Sequence, residues 1–320
     1  MDSPNVERIS ECFVQPHHAS EESDKPFYLT PGDLAMLSVH HIQKGLLFYK
    51  PPEAKRDPKN FTDSLLERLK QSLSVALGHF YPLTGRLVTK KSEDPALYLV
   101  YVDFNNSPGA KFIYATLDMS IPDILSPTDV PLVVQSFFDH DRVLDHDGHT
   151  MSLLTIQVTE LVDGIVIGPS LNHCLGDGTS FWHFFNICVD ANFRLLLLEQ
   201  NCTYKTINTL GESRLVANNR ARINPPLSGE YCGNSIYPVI SETVAAGELL
   251  EHGFGWAAWK LHEAVVNHND KVIRELLDAW LKSPAVYQVS YFDPFSIMMG
   301  GSPRFNMYGN EFGMGKGIAL

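Results

Sequence analysis

The segment GIVIGPSLNHCLGDGTSFWHFF, residues 164–185, constrains this chain more than any other stretch. Its opening is a short apolar run bounded by glycine, the pattern of a buried strand. CLGDG is a tight turn, and Thr179 or Ser180 is placed to start a helix over SFWHFFN. The segment therefore predicts a strand that ends at His173 and passes at once into a helix. Such a strand-to-helix loop holds an imidazole at the mouth of a cleft. The helix N-terminus just beyond Asp177 favours an ionised carboxylate there.

The rest of the chain supplies matching elements. VERISECFVQP alternates as an opening strand, and Thr30 with Pro31 behind it marks a helix start. FTDSLLERLKQSLSVALGHF carries Leu65, Leu66, Leu69, Leu73, Val75, Ala76 and Leu77 mostly at three- and four-residue spacing, which predicts an amphipathic helix. YPLTGRLV then breaks that helix and starts a strand. ALYLVYVDF, AKFIYATL, PLVVQSFFDH and TMSLLTIQVTEL read as further strands. LLEHGFGWAAWKLHEAVVNHNDKVIRELLDAWLKS reads as one long helical stretch or two helices, and the chain closes on a loop and a strand in RFNMYGNEFGMGKGIAL. Strands interleaved with long helices indicate an α/β or α+β class.

Bulk properties exclude several functions. The net charge of −12, with no basic run, argues against nucleic acid as a general partner. With 44% hydrophobic and 19% charged residues the chain is globular, and 320 residues suffice for two domains of roughly 150 residues each. No apolar run reaches the roughly 18 residues of a membrane span, and the polar N-terminus lacks the apolar core of a signal peptide. The five cysteines are irregularly spaced, without a C-x-x-C pair, which fits a reducing compartment. A cytoplasmic protein with no membrane partner is expected.

His173 and Asp177 form a single His-x-x-x-Asp pair, and the residues alone leave three roles open: catalytic base, metal ligand, or buried strand-end histidine satisfied by backbone. A zinc site needs further ligands, and no H-x-x-x-H or C-x-x-C completes a set. Cys174, beside His173, likewise lacks the partners of an activated nucleophile.

Four stretches then occur in order: LKQSLSVALGHFYPLTGRL, NHCLGDGTSFW, NNRARINPPLSGEYCGN and NEFGMGKG. Together they resemble the BAHD, or HXXXD-type, family of plant acyl-CoA-dependent acyltransferases, over most of residues 7–186 and 214–320. The resemblance implies an α/β fold of two chloramphenicol-acetyltransferase-like domains separated by a solvent channel. Here the expected division is 1–186 for the N-terminal domain, 187–213 for an atypical connector, and 214–320 for a partial, incomplete C-terminal domain. It also implies transfer of an acyl group to a hydroxyl or amine of a plant specialised metabolite, by a monomer. Acyl-CoA is then a co-substrate and the acceptor a small molecule, with no bound cofactor and no metal. By the same resemblance His173 is the general base, while Asp177, followed by Gly178, holds the loop and points away from the reacting atoms.

The family's D-F-G-W-G motif reads here Glu311-Phe312-Gly313-Met314-Gly315, a structural element remote from the chemistry. Its surviving carboxylate suggests an ion pair to Arg220 or Arg222. Relatives are longer, and the shortening falls mainly in the middle and at the C-terminal end. A truncated, non-catalytic homologue that binds a ligand or partner is thus one alternative, and a lyase using the same cleft is another. FRLLLLEQ (193–200) is an improvised helix or an exposed patch. Two further features have structural readings: DHDRVLDHDGHT (139–150) as a solvated loop, and Trp256 and Trp259, three residues apart, as core packing.

Overall fold

The computed structural model describes residues 6–18, 25–93, 96–105, 107–193, 212–240, 246–287, 296–299, 305 and 309–319. Its centre is a seven-stranded mixed sheet. Strands β1 (Glu7–Val14), β7 (Ala110–Thr116), β8 (Leu154–Glu160), β9 (Gly164–Leu171), β4 (Leu46–Tyr49) and β13 (Ile318–Ala319) follow one another across it, and β3 (Ile42–Gln43) also pairs with β9. All the neighbours are antiparallel except β7 and β8.

Both faces of this sheet are covered, so β9 is largely apolar along its length, whereas β8 (LTIQVTE) alternates apolar residues with the buried polar Thr155, Gln157 and Thr159. Every residue of β9 is buried. Ile165, Ile167 and Leu171 enter the main core, whereas Val166 enters a smaller one with Leu47, Leu117, Ile121, Ile124, Phe137 and Leu161. The main core is filled by two helices, α3 (Pro58–His79) and α5 (Gly178–Phe193). Asp57 caps α3 by accepting from the Asn60 N–H, and the predicted stripe is buried except for Val75, which is 43% exposed. Phe181, Phe184 and Phe185 carry α5 into the same core.

Two three-stranded sheets flank this centre. One runs β2 (Phe27–Tyr28), β6 (Ala96–Asp103), β5 (Arg86–Glu93); the other runs β11 (Ile236–Ile240), β10 (Glu212–Asn218), β12 (Ser296–Met299). Short helices α1 (Pro31–Leu34), α2 (Pro52–Arg56) and α4 (Ile121–Leu125) sit in connections. Thr30 caps α1 in a capping box with Asp33, as its position before Pro31 predicts. The long helical stretch is two helices, α6 (Ala246–Asn267) and α7 (Asp270–Lys282), broken where Asn269 accepts from the Lys271 and Val272 N–H groups. Helix α5 passes through residue 186, and β13 joins the central sheet beside β4.

Three expectations are corrected. PLVVQSFFDH is not a strand: Leu132–Phe137 is a 3-10 turn lying over the sheet face, with Phe137 buried and Gln157 Nε2 donating to the Ser136 carbonyl at 2.7 Å. Its strand propensity yields to the burial that this position offers. DHDRVLDHDGHT is not simply a solvated loop, since Asp139 and Asp145 are buried. Trp259 is 61% exposed and so is not core, while Trp256 is half-buried and stacks on His252 with ring centroids 4.7 Å apart. FRLLLLEQ lies, beyond Phe193, outside the described residues.

Candidate active site

Strand β9 ends at Leu171, and His173 opens a single 3-10 turn, His173–Leu175. Asn172 shapes that turn by accepting the Cys174 N–H through its side-chain oxygen at 3.1 Å. Gly176 follows because a Cβ there would stand 2.7 Å from Ser180 Cβ. The start of α5 differs from expectation: the cap is Asp177, whose Oδ1 accepts from the Thr179 and Ser180 N–H groups at 3.0 Å each. Aspartate outranks threonine in this role because a charged acceptor also meets the positive end of the helix. Gly178 is the first helical residue.

Asp177 is fully buried, and its carboxylate is consumed by the protein. Arg220 Nη1 donates to Oδ2 at 2.6 Å and Nη2 to Oδ1 at 3.0 Å, while the Ser235 N–H donates to Oδ2 at 3.0 Å. Arg220 also donates to Ser180 Oγ and to the Gly233 carbonyl. The ion pair expected between Glu311 and Arg220 or Arg222 is therefore not made. Arg222 donates instead to the carbonyls of Val265 and His268, and among the described residues neither guanidinium reaches Glu311. Asp177, nearer and wholly desolvated, is the stronger claimant on Arg220.

The Glu311–Gly315 motif is a turn. Gly313 and Gly315 adopt φ of 75° and 82°, which side chains with a Cβ rarely accept. Phe312, at φ 48°, plugs the main core with its ring edge-on to Phe48 and Phe185. The motif thus anchors the C-terminal segment just before β13 pairs with β4.

His173 is half-buried, and among the described residues its imidazole is held through Nδ1. Nδ1 lies 3.0 Å from Asn234 Oδ1. The Asn234 amide cannot be flipped without penalty, because its Nδ2 donates to the His173 carbonyl at 2.6 Å and to Asp33 Oδ1 at 2.9 Å. Oδ1 is then an acceptor, so Nδ1 carries the proton and Nε2 keeps its lone pair. Asp33 is buried in turn, accepting from the Asn234 N–H and from the N–H and Oγ1 of Thr30. Burial lowers the His173 pKa below its ordinary value, against the opposing pull of its own backbone, Asp177, Asn234 and Asp33. A neutral imidazole with Nε2 unprotonated can accept a proton.

Sequence reasoning missed Asn234 and Asp33. Asp33 was visible only as part of a cap, and Asn234 only as the end of the NNRARINPPLSGEYCGN stretch; nothing local links residues 61 and 140 positions from His173. The neighbouring thiol is excluded as a nucleophile on physical grounds. Cys174 is buried, and desolvation, aided by Asp145 and Asp33, pushes its pKa well above the usual value. Among the described residues no group of three or more His, Cys, Asp or Glu is arranged to hold a metal, and no helix is long and apolar enough to cross a membrane. A cavity of about 660 Å³, lined by residues including Arg8, Leu132, Phe138 and His140, contains none of the residues of the His173 turn.

The sequence matches the profile of the Transferase family over residues 4–189 and 199–320. The chain belongs to that family, the BAHD acyltransferases. It is 29% identical to an uncharacterized acetyltransferase of Arabidopsis thaliana, with 99% of this chain and 89% of that one covered. It is 26% identical to BAHD acyltransferase DCR of the same plant, over 91% and 78% of the two chains. The first alignment runs over 404 positions, so this acyltransferase spans its relatives with fewer residues than they use. The fold matches the crystal structure of vinorine synthase with a TM-score of 0.69 at 18% identity, covering 99% of this chain and 88% of that one. It also matches F. sporotrichioides TRI101 complexed with coenzyme A and T-2, with a TM-score of 0.61 at 13% identity over 92% and 86% of the chains. The expected α/β fold and acyltransferase class are thereby established for this chain.

Proposed function

We propose that this acyltransferase moves an acyl group from acyl-CoA to a hydroxyl or amine of a plant specialised metabolite, with His173 as general base. The observation that carries the reading is the Asn234 contact to His173 Nδ1, which leaves Nε2 unprotonated. An alcohol or amine is a weak nucleophile at neutral pH, and a neutral imidazole removes its proton as it attacks the thioester carbonyl. The imidazolium so formed keeps its Nδ1–H bond to Asn234 and feels the buried Asp33. It then returns the proton to the departing thiolate. No acyl-enzyme is required, which agrees with the inert Cys174. Asp177 acts at one remove by fixing the turn and the start of α5. The coenzyme A in the TRI101 structure supports the choice of donor. The protein works as a cytoplasmic monomer, in two units divided around residues 187–213.

His173→Ala and His173→Gln test this directly. Loss of thiol release from acetyl-CoA or malonyl-CoA, with an unchanged melting transition, is expected. Undiminished turnover in either variant removes the base assignment.

A second reading, a non-catalytic homologue, draws support from the shortened chain and from α7, where Leu277 and Leu281 are 44% and 56% exposed. A thermal melt that rises with acetyl-CoA or malonyl-CoA favours the enzyme, because a ligand binding only the native state stabilises it by mass action. Neither turnover nor such a rise favours the second reading.

A further inference from the structure

Behind the His173 turn lies a buried carboxyl that the reaction scheme does not use. We propose that Asp145 is a positioning residue for the transfer, holding His173 at a fixed depth: its Oδ1 accepts the His173 backbone N–H at 2.8 Å, and its carbonyl accepts Asn172 Nδ2 at 2.7 Å. The proposal rests on the reading of His173 as the base. Asp145 grips the two residues that form the junction between β9 and the catalytic turn. A backbone hydrogen bond here does what side-chain packing alone does poorly, since an imidazole displaced by an ångström loses its line to the acceptor.

The carboxyl is itself anchored. Asp145 opens a 3-10 turn, Asp145–His149, tied to the segment after α1 by the Asp145 N–H to Val39 and the His146 N–H to Leu37, at 2.9 and 2.8 Å. That segment follows the cap containing Asp33, so the supports of Nδ1 and of the His173 backbone converge on one stretch of chain. His41, fully buried like Asp145, places Nδ1 3.3 Å from Asp145 Oδ1 and 3.4 Å from the Val143 carbonyl. His140 stands against His41 with ring centroids 5.3 Å apart and faces Asp139. The groups surrounding Asp145 are thus His41, His140, Asp139, His173 and, through Cys174, Asp33. Burial raises Asp145 to about 8 and lowers His41 to about 4. His41 Nδ1 bonds the Val143 carbonyl, and burial disfavours the charged form of each side chain. What the turn needs from residue 145 is an oxygen acceptor, which an asparagine amide also supplies.

The full chain is compared with Asp145→Asn, Asp145→Leu and His173→Ala. The readouts are thiol release from acetyl-CoA and malonyl-CoA with a panel of phenolic and sugar hydroxyls, melting, and long-range ¹H–¹⁵N spectra of the imidazoles. The His173 signal is assigned by its absence in His173→Ala. Asp145→Asn is expected to stay within about two-fold of the parent in kcat. Asp145→Leu, similar in shape without the acceptor, is expected to lose about ten-fold or more in kcat with KM for the thioester unchanged, and to shift the His173 signal. Parental kcat and an unmoved His173 signal in a folded Asp145→Leu, with His173→Ala inactive, overturn the proposal. Turnover surviving in His173→Ala instead removes the base reading beneath it. Should Asp145→Leu not fold, Asp145→Ala takes its place with the same readouts, and parental kcat with an unmoved His173 signal in that variant overturns the proposal.

Discussion

Arg220 grips Asp177 with both terminal nitrogens, at 2.6 and 3.0 Å, and the two side chains are 8% and 0% exposed. This pair joins the turn after β9 to the end of β10, and Ser180 and Gly233 extend it. A desolvated pair of this kind is costly to break on one side, because the surviving charge has nowhere to go. Asp177→Ala or Arg220→Ala is expected to cost about 3–5 kcal/mol of stability. A urea titration checks this. An Asp177→Ala protein as stable as the parent but inactive would make Asp177 a participant in the chemistry rather than a brace.

Asn234→Ala tests the tautomer argument. Removing Oδ1 leaves His173 Nδ1 without its acceptor and lets the proton move to Nε2, the atom that must stay bare. The expected result is a fall in kcat of about ten-fold or more, about 1.4 kcal/mol of transition-state stabilisation, with little change in KM for the thioester. Unchanged kcat, or a rise in KM alone, would show that the contact matters only for binding.

What the sequence made legible was local. The strand, tight turn and helix of residues 164–185 could be read because apolar runs and turn residues act over a few positions. The same holds for the Thr30 cap and the α3 stripe. The pairing of Arg220 with Asp177 was not legible: Glu311 and Asp177 were equally good carboxylates on paper, and only burial decides between them. Asn234 and Asp145 lie 61 and 28 residues from His173 in sequence, and nothing in their own neighbourhoods marks them. The apolar run at Leu132–Phe137 misled because a β-branched sequence covering a sheet face looks like one joining its edge. The DHDRVLDHDGHT stretch misled because charge suggests solvent, whereas Asp145 is buried with the protonation its site imposes.

Phe312 tests whether the C-terminal turn is a structural plug. Its ring is 2% exposed and meets Phe48 and Phe185 edge-on, at centroid distances of 6.2 and 5.2 Å. Phe312→Ala is expected to cost about 3–5 kcal/mol through lost contacts and the space left behind. Because Phe312 lies outside the His173–Asn234–Asp33 array, KM and kcat should hold at temperatures where the variant remains folded. A loss of kcat without loss of stability would place the turn in the reaction.

The His41–Asp145 pair makes a signed prediction about pH and stability. In the folded chain His41 is neutral down to about 4 and Asp145 protonated up to about 8. In the unfolded chain the histidine protonates below about 6.5 and the aspartate ionises above about 3.9. Between about pH 4 and 6.5 both states of the pair hold one proton in all, so the pair contributes no slope. Between about 6.5 and 8 the folded pair still holds a proton that the unfolded pair has lost, and stability falls as pH rises, by at most about 1.4 kcal/mol per unit. Asp145→Asn removes the carboxyl and uncouples the two effects. The variant should gain on the parent steadily from about pH 4 to 8, losing the decline above 6.5. It should also acquire a new loss of stability on acidification from 6.5 to 4, because His41 must then charge inside the fold. Urea titrations of both proteins at pH 4.5, 6.5 and 8 measure the difference. A constant offset between them across that range would mean that Asp145 is already ionised in the folded chain throughout it, so that its removal leaves the proton balance unchanged.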